Sequence, residues 1–172
     1  MEVEHAIRTR RTHKAYTSEP VDRETLEELF ELARWAPNHH STDPWRFRVL
    51  GPQARERLKA AAEAAKPGSG AKLDRAPTLI VAGAQQTGDA AQDREDVLAT
   101  AVAAYIVLLA AHARGLAGYW RTLAVLETPE GRAAVGLPDD ETPLGLLHLG
   151  EPRQDQRVPP RAPVEEIAVF LD

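Results

Sequence analysis

Apolar side chains recur at three- and four-residue spacing in five stretches of the chain, and in short alternating or unbroken runs in four others. The first pattern predicts helices and the second strands. Val3, Ala6 and Ile7 outline a short helix over 2–9. Leu26, Leu29, Phe30 and Ala33 outline a longer one over 22–35, with Asp22 placed to cap it. An alanine-rich helix covers 53–65, and a brief one runs from Thr128 to Val135. The longest is 91–114, where Val97, Leu98, Ala101, Val102, Tyr105, Ile106, Leu108, Leu109 and Ala113 wrap more than one face. A helix apolar nearly all round is buried on several sides, and in a chain this small part of that surface is expected to meet a second subunit.

Between these helices lie the predicted strands. Trp45 to Leu50 alternates like a half-buried strand and is stopped by Gly51-Pro52. Pro77–Gly83 and Leu144–Gly150 read as buried strands, and Gly118–Thr122 as a short one. Lys66–Gly70 is expected to be a flexible loop; its Gly-Ser-Gly follows no strand and is no dinucleotide fingerprint. The tail from Glu151 to Arg161 holds three prolines and three arginines without apolar periodicity, so it must run over a surface. Val164 to Leu171 regains apolar character and is expected to dock, on a partner. Strands separated by helices around one dominant helix predict an α+β sandwich, in a single domain over 1–172.

Composition narrows the function classes. The chain is 43% hydrophobic and 27% charged, ordinary for a globular protein. A net charge of −5 argues against a general binder of nucleic acid or anionic membrane. With no cysteine, disulfides, thiolate metal sites and cysteine nucleophiles are absent. No apolar run is expected to approach the roughly 20 residues that span a bilayer. Met1 to His5 lacks the features of a signal peptide, and a cytoplasmic location is expected.

The stretch Ala36-Pro37-Asn38-His39-His40-Ser41-Thr42-Asp43-Pro44-Trp45 joins helix to strand. Each proline fixes its own φ and keeps the preceding residue out of the helical region, so the polar groups between them are held in a stiff loop. Adjacent histidines hardly converge on one metal ion, and no third ligand has metal-site spacing. Ser41, a histidine and Asp43 lack the strand–turn–helix elbow of a hydrolase. Upstream, Arg8, Arg10, Arg11 and Lys14 fall within seven residues. They read either as a solvated basic turn or as an anion site with Thr12 adding a hydroxyl. Trp35, Trp45 and Trp120 read as core aromatics or pocket walls, and His112 and His148 as structural. Binding groups without a protein nucleophile or base suit an enzyme whose cofactor carries the chemistry.

Two stretches together carry a family resemblance. Arg10-Arg11-Thr12-His13-Lys14 is similar to the pattern R-R-S-x-R, and Ala36-Pro37…Pro44-Trp45 to the ends of A-P-S-x-x-N-x-Q-P-W, the flavin-binding signature of the nitroreductase family. Gly118-Tyr119-Trp120-Arg121-Thr122 resembles the G-x-W-R-S run of a short, single-domain subgroup, and Arg161-Ala162-Pro163-Val164-Glu165-Glu166 its tail. The resemblance implies an α/β/α sandwich with a central mixed or antiparallel sheet and a long buried helix. It implies an FMN-dependent NAD(P)H oxidoreductase that passes hydride through flavin N5 to nitroaromatics, quinones or similar acceptors by ping-pong kinetics. By the same resemblance Arg10, Arg11, Thr12 and Arg161 would hold the FMN phosphate end, and Lys14 would lie near the ring's N1–O2 side. Trp120, Arg121 and Thr122 would line the ring or its tail. Trp35, His39, Ser41 and Asp43 would approach the flavin of the other subunit in a homodimer. Two departures stand out: Asp43 replaces the family's glutamine, and Trp35 replaces a residue that is often polar or basic. They keep open an alternative, a non-catalytic FMN- or anion-binding protein on the same scaffold.

Overall fold

The computed structural model describes residues 1–171. Its centre is strand β2, Thr78–Gln85, whose first seven residues are all buried. A strand buried on both faces needs apolar side chains on both, and Leu79-Ile80-Val81-Ala82 supplies them. β1 (Trp45–Val49) and β4 (Glu141–Gly150) flank β2, and β3 (Ala117–Arg121) adds to β4. The order is β1-β2-β4-β3, antiparallel throughout.

Each face of the sheet has its own helical cover. On one, Leu79, Val81 and Leu146 pack with Leu58 and Ala62 of α3 (Pro52–Ala65), Leu73, and Val135 of α5 (Pro129–Val135). On the other, Ile80, Leu147 and Leu149 meet Leu26 and Leu29 of α2 (Arg23–Ala33), and Ala103, Val107 and Ala111 of α4 (Ala90–Ala113). Helices on both faces of an antiparallel sheet make the expected α/β/α sandwich. The short α1, Val3–Thr9, leads into it. Helix starts follow the sequence: Asp22 accepts from Thr25 N, Asp89 from Ala91 N and Gln92 N, and Thr128 from Gly131 N.

Four expectations are revised. Contrary to the composition reading, α4 is long and apolar enough to cross a membrane, but half of its apolar stretch is buried in the fold, as a core helix's is. The supposedly flexible Lys66–Gly70 is tied down. Glu63 accepts from Gly68 N and Gly70 N at 2.8 and 3.0 Å, and the Ser69 hydroxyl donates to Ala62 and Lys66 carbonyls. A 3-10 turn follows over Gly70–Arg75. β4 starts three residues early, at Glu141, because Arg48 meets its carboxylate twice, at 2.5 and 2.6 Å, and so allows a charged residue inside the sheet. Finally, α2 stops at Ala33, which leaves Trp35 outside it and 76% exposed.

Candidate functional site

The chain leaving α1 turns extended at Arg10 (φ −55°, ψ 131°) and is strapped across β3: Thr12 bridges Gly118, and His13 N donates to Gly118 O at 3.2 Å. The proline-rich tail then runs beside it. Thr17 N donates to Glu151 O, Arg153 N to Ala15 O, and Tyr16 bridges Pro152. With a proline at 159 and 160 the tail cannot curl into a helix, so it carries Arg157 and Arg161 back over Arg10, Arg11 and Thr12. These five residues line a cleft of about 170 Å³.

Four guanidinium groups therefore face one small space, and none of them forms a salt bridge among the described residues. Backbone carbonyls hold three of them in place, Arg161 Nη1 donating to Pro160 O at 3.2 Å. Arg10 Nη1 donates to Arg11 O at 3.1 Å, and Arg11 Nη1 to Arg8 O and Arg10 O at 2.7 and 2.8 Å. Arg11 Nε is buried with no partner among the described residues. The neighbouring histidines feel the field: burial, then Arg10, pushes both His13 and His112 below the usual histidine range. An unneutralised cluster of forked donors suits a dianionic phosphate.

The proline loop lies elsewhere, on the N-terminal half of α4. His39 Nδ1 sits 2.5 Å from Glu95 Oε2, and the Thr42 hydroxyl donates to Asp96 Oδ1 at 2.6 Å. Asn38 Oδ1 accepts from Asp43 N at 3.1 Å and so braces the loop before Pro44. His40, Ser41 and Asp43 have φ of 59°, 51° and 46°. Three left-handed residues within four, none of them glycine, mark a strained segment held by its surroundings. Asp96 is 1% exposed and also accepts from Gln92 Nε2 at 2.9 Å; its Oδ2, and Thr100 Oγ1 one turn on, have no partner among the described residues.

At the end of β3 the side chains alternate. Trp120 packs on the α4 side and donates Nε1 to Leu144 O at 3.0 Å, whereas Tyr119 lies against His148 on the other side. Leu144 offers that carbonyl because it is a bulge: Ala82 pairs with Gly145 and Gly83 with Pro143, which skips it. Gly145 (φ 130°) is required there, since a Cβ would stand 2.5 Å from Arg121 O. Thr122 lines a pocket of about 240 Å³ beside Pro143, Leu144 and Gly145.

Of the sequence-derived candidates, then, the structure gathers Arg10, Arg11, Thr12 and Arg161 in one cleft and leaves Trp120, Arg121 and Thr122 at the far end of β3. Lys14 lines a different cleft, with Arg75 and Arg153. His39, Ser41 and Asp43 sit on α4, and Trp35 projects alone. Sequence reasoning missed Arg157, Asn38, Glu95 and Asp96. The first had a signal in the four-residue spacing of Arg153, Arg157 and Arg161; the acids had none, being ordinary helix residues until the loop lands on them.

Comparison with known proteins gives consistent matches. The family model described as the nitroreductase family matches residues 7–151. YdjA of Escherichia coli K12, which carries the name of an NAD(P)H nitroreductase, is 33% identical over 141 residues, 76% of this chain and 77% of its own. YfhC of Bacillus subtilis, similarly named, is 25% identical over 93% of this chain and 89% of its own. Among solved structures, a nitroreductase-like family protein from Bacillus cereus superposes with a TM-score of 0.89 at 24% identity, covering 100% of this chain and 97% of its own. A chain from Desulfovibrio desulfuricans, described as a nitroreductase in complex with FMN, gives 0.84 at 25% identity over 100% and 98%.

Proposed function

The chain belongs to the nitroreductase family, and from that premise we propose that it works as an FMN-dependent NAD(P)H oxidoreductase acting on nitroaromatics, quinones or similar acceptors. The observation that carries the reading is the cleft of Arg10, Arg11, Thr12, Arg157 and Arg161. Among the described residues its cations have no counter-ion and the buried Arg11 Nε has no acceptor, which fits the phosphate of FMN. When bound, the flavin supplies the redox chemistry, taking hydride from the nicotinamide and delivering the electrons to the acceptor.

The chain's own residues bind and orient. Arg10 and Arg11 are pre-positioned by carbonyls, so little side-chain freedom is lost on binding. Thr12 adds a hydroxyl. Trp120, Arg121 and Thr122 would border the ring from the end of β3, with the Trp120 indole fixed by Leu144 O. Lys14, two residues beyond Thr12, would lie near the ring's N1–O2 side and offset the negative charge that reduction places there.

A second copy of the chain completes the site in this reading. Leu98, Val102 and Tyr105 stand 60%, 41% and 37% exposed on one stripe of α4, and Ile167, Val169 and Phe170 of the tail 75%, 82% and 92%. So much uncovered apolar surface supports a homodimer. The strained loop with His39, Ser41 and Asp43, and Trp35 at its start, would then approach the flavin of the other copy.

One spectrum tests the enzyme. Purified protein should be yellow, with oxidised-flavin absorbance that bleaches on adding NADPH or NADH anaerobically and returns on adding a nitroaromatic. Flavin that stays oxidised with both nucleotides would favour the non-catalytic alternative. Light scattering at low micromolar concentration should report a dimer; a well-folded monomer that holds FMN would refute the shared site.

A further inference from the structure

Close to the arginine cleft lie two histidines to which phosphate binding gives no contact. His13 follows Thr12 in the chain but does not line the cleft; it is 9% exposed, and its Nδ1 is buried with no partner among the described residues. His112 sits in the last turn of α4, with Nε2 2.8 Å from Thr9 Oγ1. The Thr9 hydroxyl has one proton and gives it to His5 O at 2.6 Å, so His112 Nε2 is the donor in the other bond. A second proton on His112 would go to Nδ1, and the bond to Thr9 would survive it.

Both rings are disfavoured as cations by what surrounds them. Burial comes first and Arg10 second in each case. Asp155 of the tail pulls His13 the other way, whereas on His112 the charges of His13, His5 and Arg11 add to that of Arg10. From β3, His13 meets the uncharged Gly118 carbonyl. The terminal carbonyls of α4 favour a proton on His112, and the arginines oppose it. Arg10 is thus the cation common to both histidines, and it is also a wall of the cleft. A dianion seated on Arg10 and Arg11 cancels their field at both rings without touching either.

We propose, resting on the flavin reading of the cleft, that His13 and His112 are proton acceptors of the phosphate site. As the FMN phosphate fills the cleft, the pair takes up part of a proton from solvent and adds positive charge near the dianion. The two act through Arg10 and Arg11 and are positioning residues. By linkage, proton and FMN strengthen each other's binding by one and the same factor. In the free protein both rings lose their proton below the ordinary 6.5; with the phosphate in place they keep it to higher pH. Uptake therefore occurs around pH 6.5 and is gone by about pH 8.5. The phosphate's own second proton, near pH 6, moves the opposite way, because the arginines favour the dianion.

Calorimetric titration of FMN into the flavin-free full chain, in buffers of different ionisation heat, counts the protons. At about pH 6.5 the unaltered protein should take up several tenths of a proton more per FMN than the double variant His13→Gln/His112→Gln. That variant keeps the cleft's arginines and hence the phosphate's own release. At about pH 8.5 the two proteins should agree, and riboflavin, which lacks the phosphate, should show no difference at either pH. Over the same range FMN affinity should fall about two- to threefold further in the unaltered protein than in the variant. Histidine ring resonances give the answer without a variant: those of His13 and His112 should titrate at higher pH with FMN bound than without. The proposal fails if both proteins take up protons equally, if riboflavin draws the same uptake, or if neither ring's titration moves on loading. FMN that binds tightly without histidine-dependent uptake leaves the flavin reading standing and removes the histidines from the site. FMN that does not bind at all overturns both.

Discussion

Asp96→Ala should loosen the proline loop without unfolding the protein. The loop holds His40, Ser41 and Asp43 in the left-handed region, at about 1–2 kcal/mol each, or roughly 3–6 kcal/mol together. Three straps oppose that strain. The Thr42 hydroxyl on the buried Asp96 carboxylate is worth about 1.5–3 kcal/mol, as a hydrogen bond to a charged group. Asp43 N on Asn38 adds about 1 kcal/mol. The His39–Glu95 pair is 62% and 46% exposed, so solvent holds it to at most about 1 kcal/mol. Strain and straps are of the same size, and Asp96 is the largest strap. Removing it shifts the balance between ordered and relaxed loop by about 10- to 150-fold. The fold loses less, because alanine also removes a buried carboxylate whose Oδ2 has no partner among the described residues. Hydrogen exchange at amides 38–43 is the direct assay: protection should drop by that factor while β2 amides stay slow. If the loop completes the partner's site as proposed, FMN should bind more weakly by up to the same factor. Thr42→Val should do the same, and the double variant no more than either alone. Unchanged exchange in Asp96→Ala would refute the strap argument, whatever happened to flavin affinity.

Other outcomes follow from the same geometry. Arg10→Ala or Arg11→Ala should weaken FMN binding about 10- to 150-fold in a fluorescence titration, one charge-assisted contact each, while Arg8→Ala, outside the cleft, should be nearly silent. Asp43→Asn, which keeps a side chain tolerant of left-handed φ, should raise the flavin potential by tens of millivolts in a dye-coupled titration. A charge at about 6 Å with an effective dielectric of 20 is worth nearly 3 kcal/mol, and the exposure of Asp43 cuts that heavily. An unchanged potential would mean that Asp43 points away from the ring. His148 takes a proton only at about pH 4 when folded, against 6.5 when free. Above pH 6.5 both states are neutral; as pH falls from 6.5 to 4 the unfolded chain protonates first, so stability drops, by about 3 kcal/mol in all. Thermal melts across that window should show the loss, and His148→Phe should flatten it.

Much of this architecture could be read along the chain, because period and punctuation agreed. Asp22, Thr128 and Gly136 fall at helix ends, and Leu79 to Ala82 offers apolar groups to both faces of β2. What escaped was set by long-range pairing. Glu141 is a poor strand residue until Arg48, 93 positions away, neutralises it. Leu144 reads as an ordinary core position, yet the register skips it. For the candidate site, motif order identified Arg10, Arg11, Thr12 and Arg161 as one group, and the fold brings them together. Motif order says nothing of side-chain direction: Lys14, two residues beyond Thr12, lines a different cleft from Arg10, Arg11 and Thr12. Asp96 was invisible because a lone acid in an apolar helix has meaning only once Thr42 reaches it.

The placement of the three tryptophans makes the protein its own spectroscopic probe. Trp35 stands in water, Trp45 is half covered between β1 and the α4-side core, and Trp120 has its indole N–H fixed on a carbonyl at the end of β3. An indole in water emits to the red of a covered one, and an indole beside a flavin loses its emission to it. Subunit association that covers Trp35 should therefore appear as a blue shift, and flavin loading as quenching of Trp120. With Trp35→Phe the first signal disappears and the second remains, so the two steps of assembly can be timed separately in one cuvette without a label.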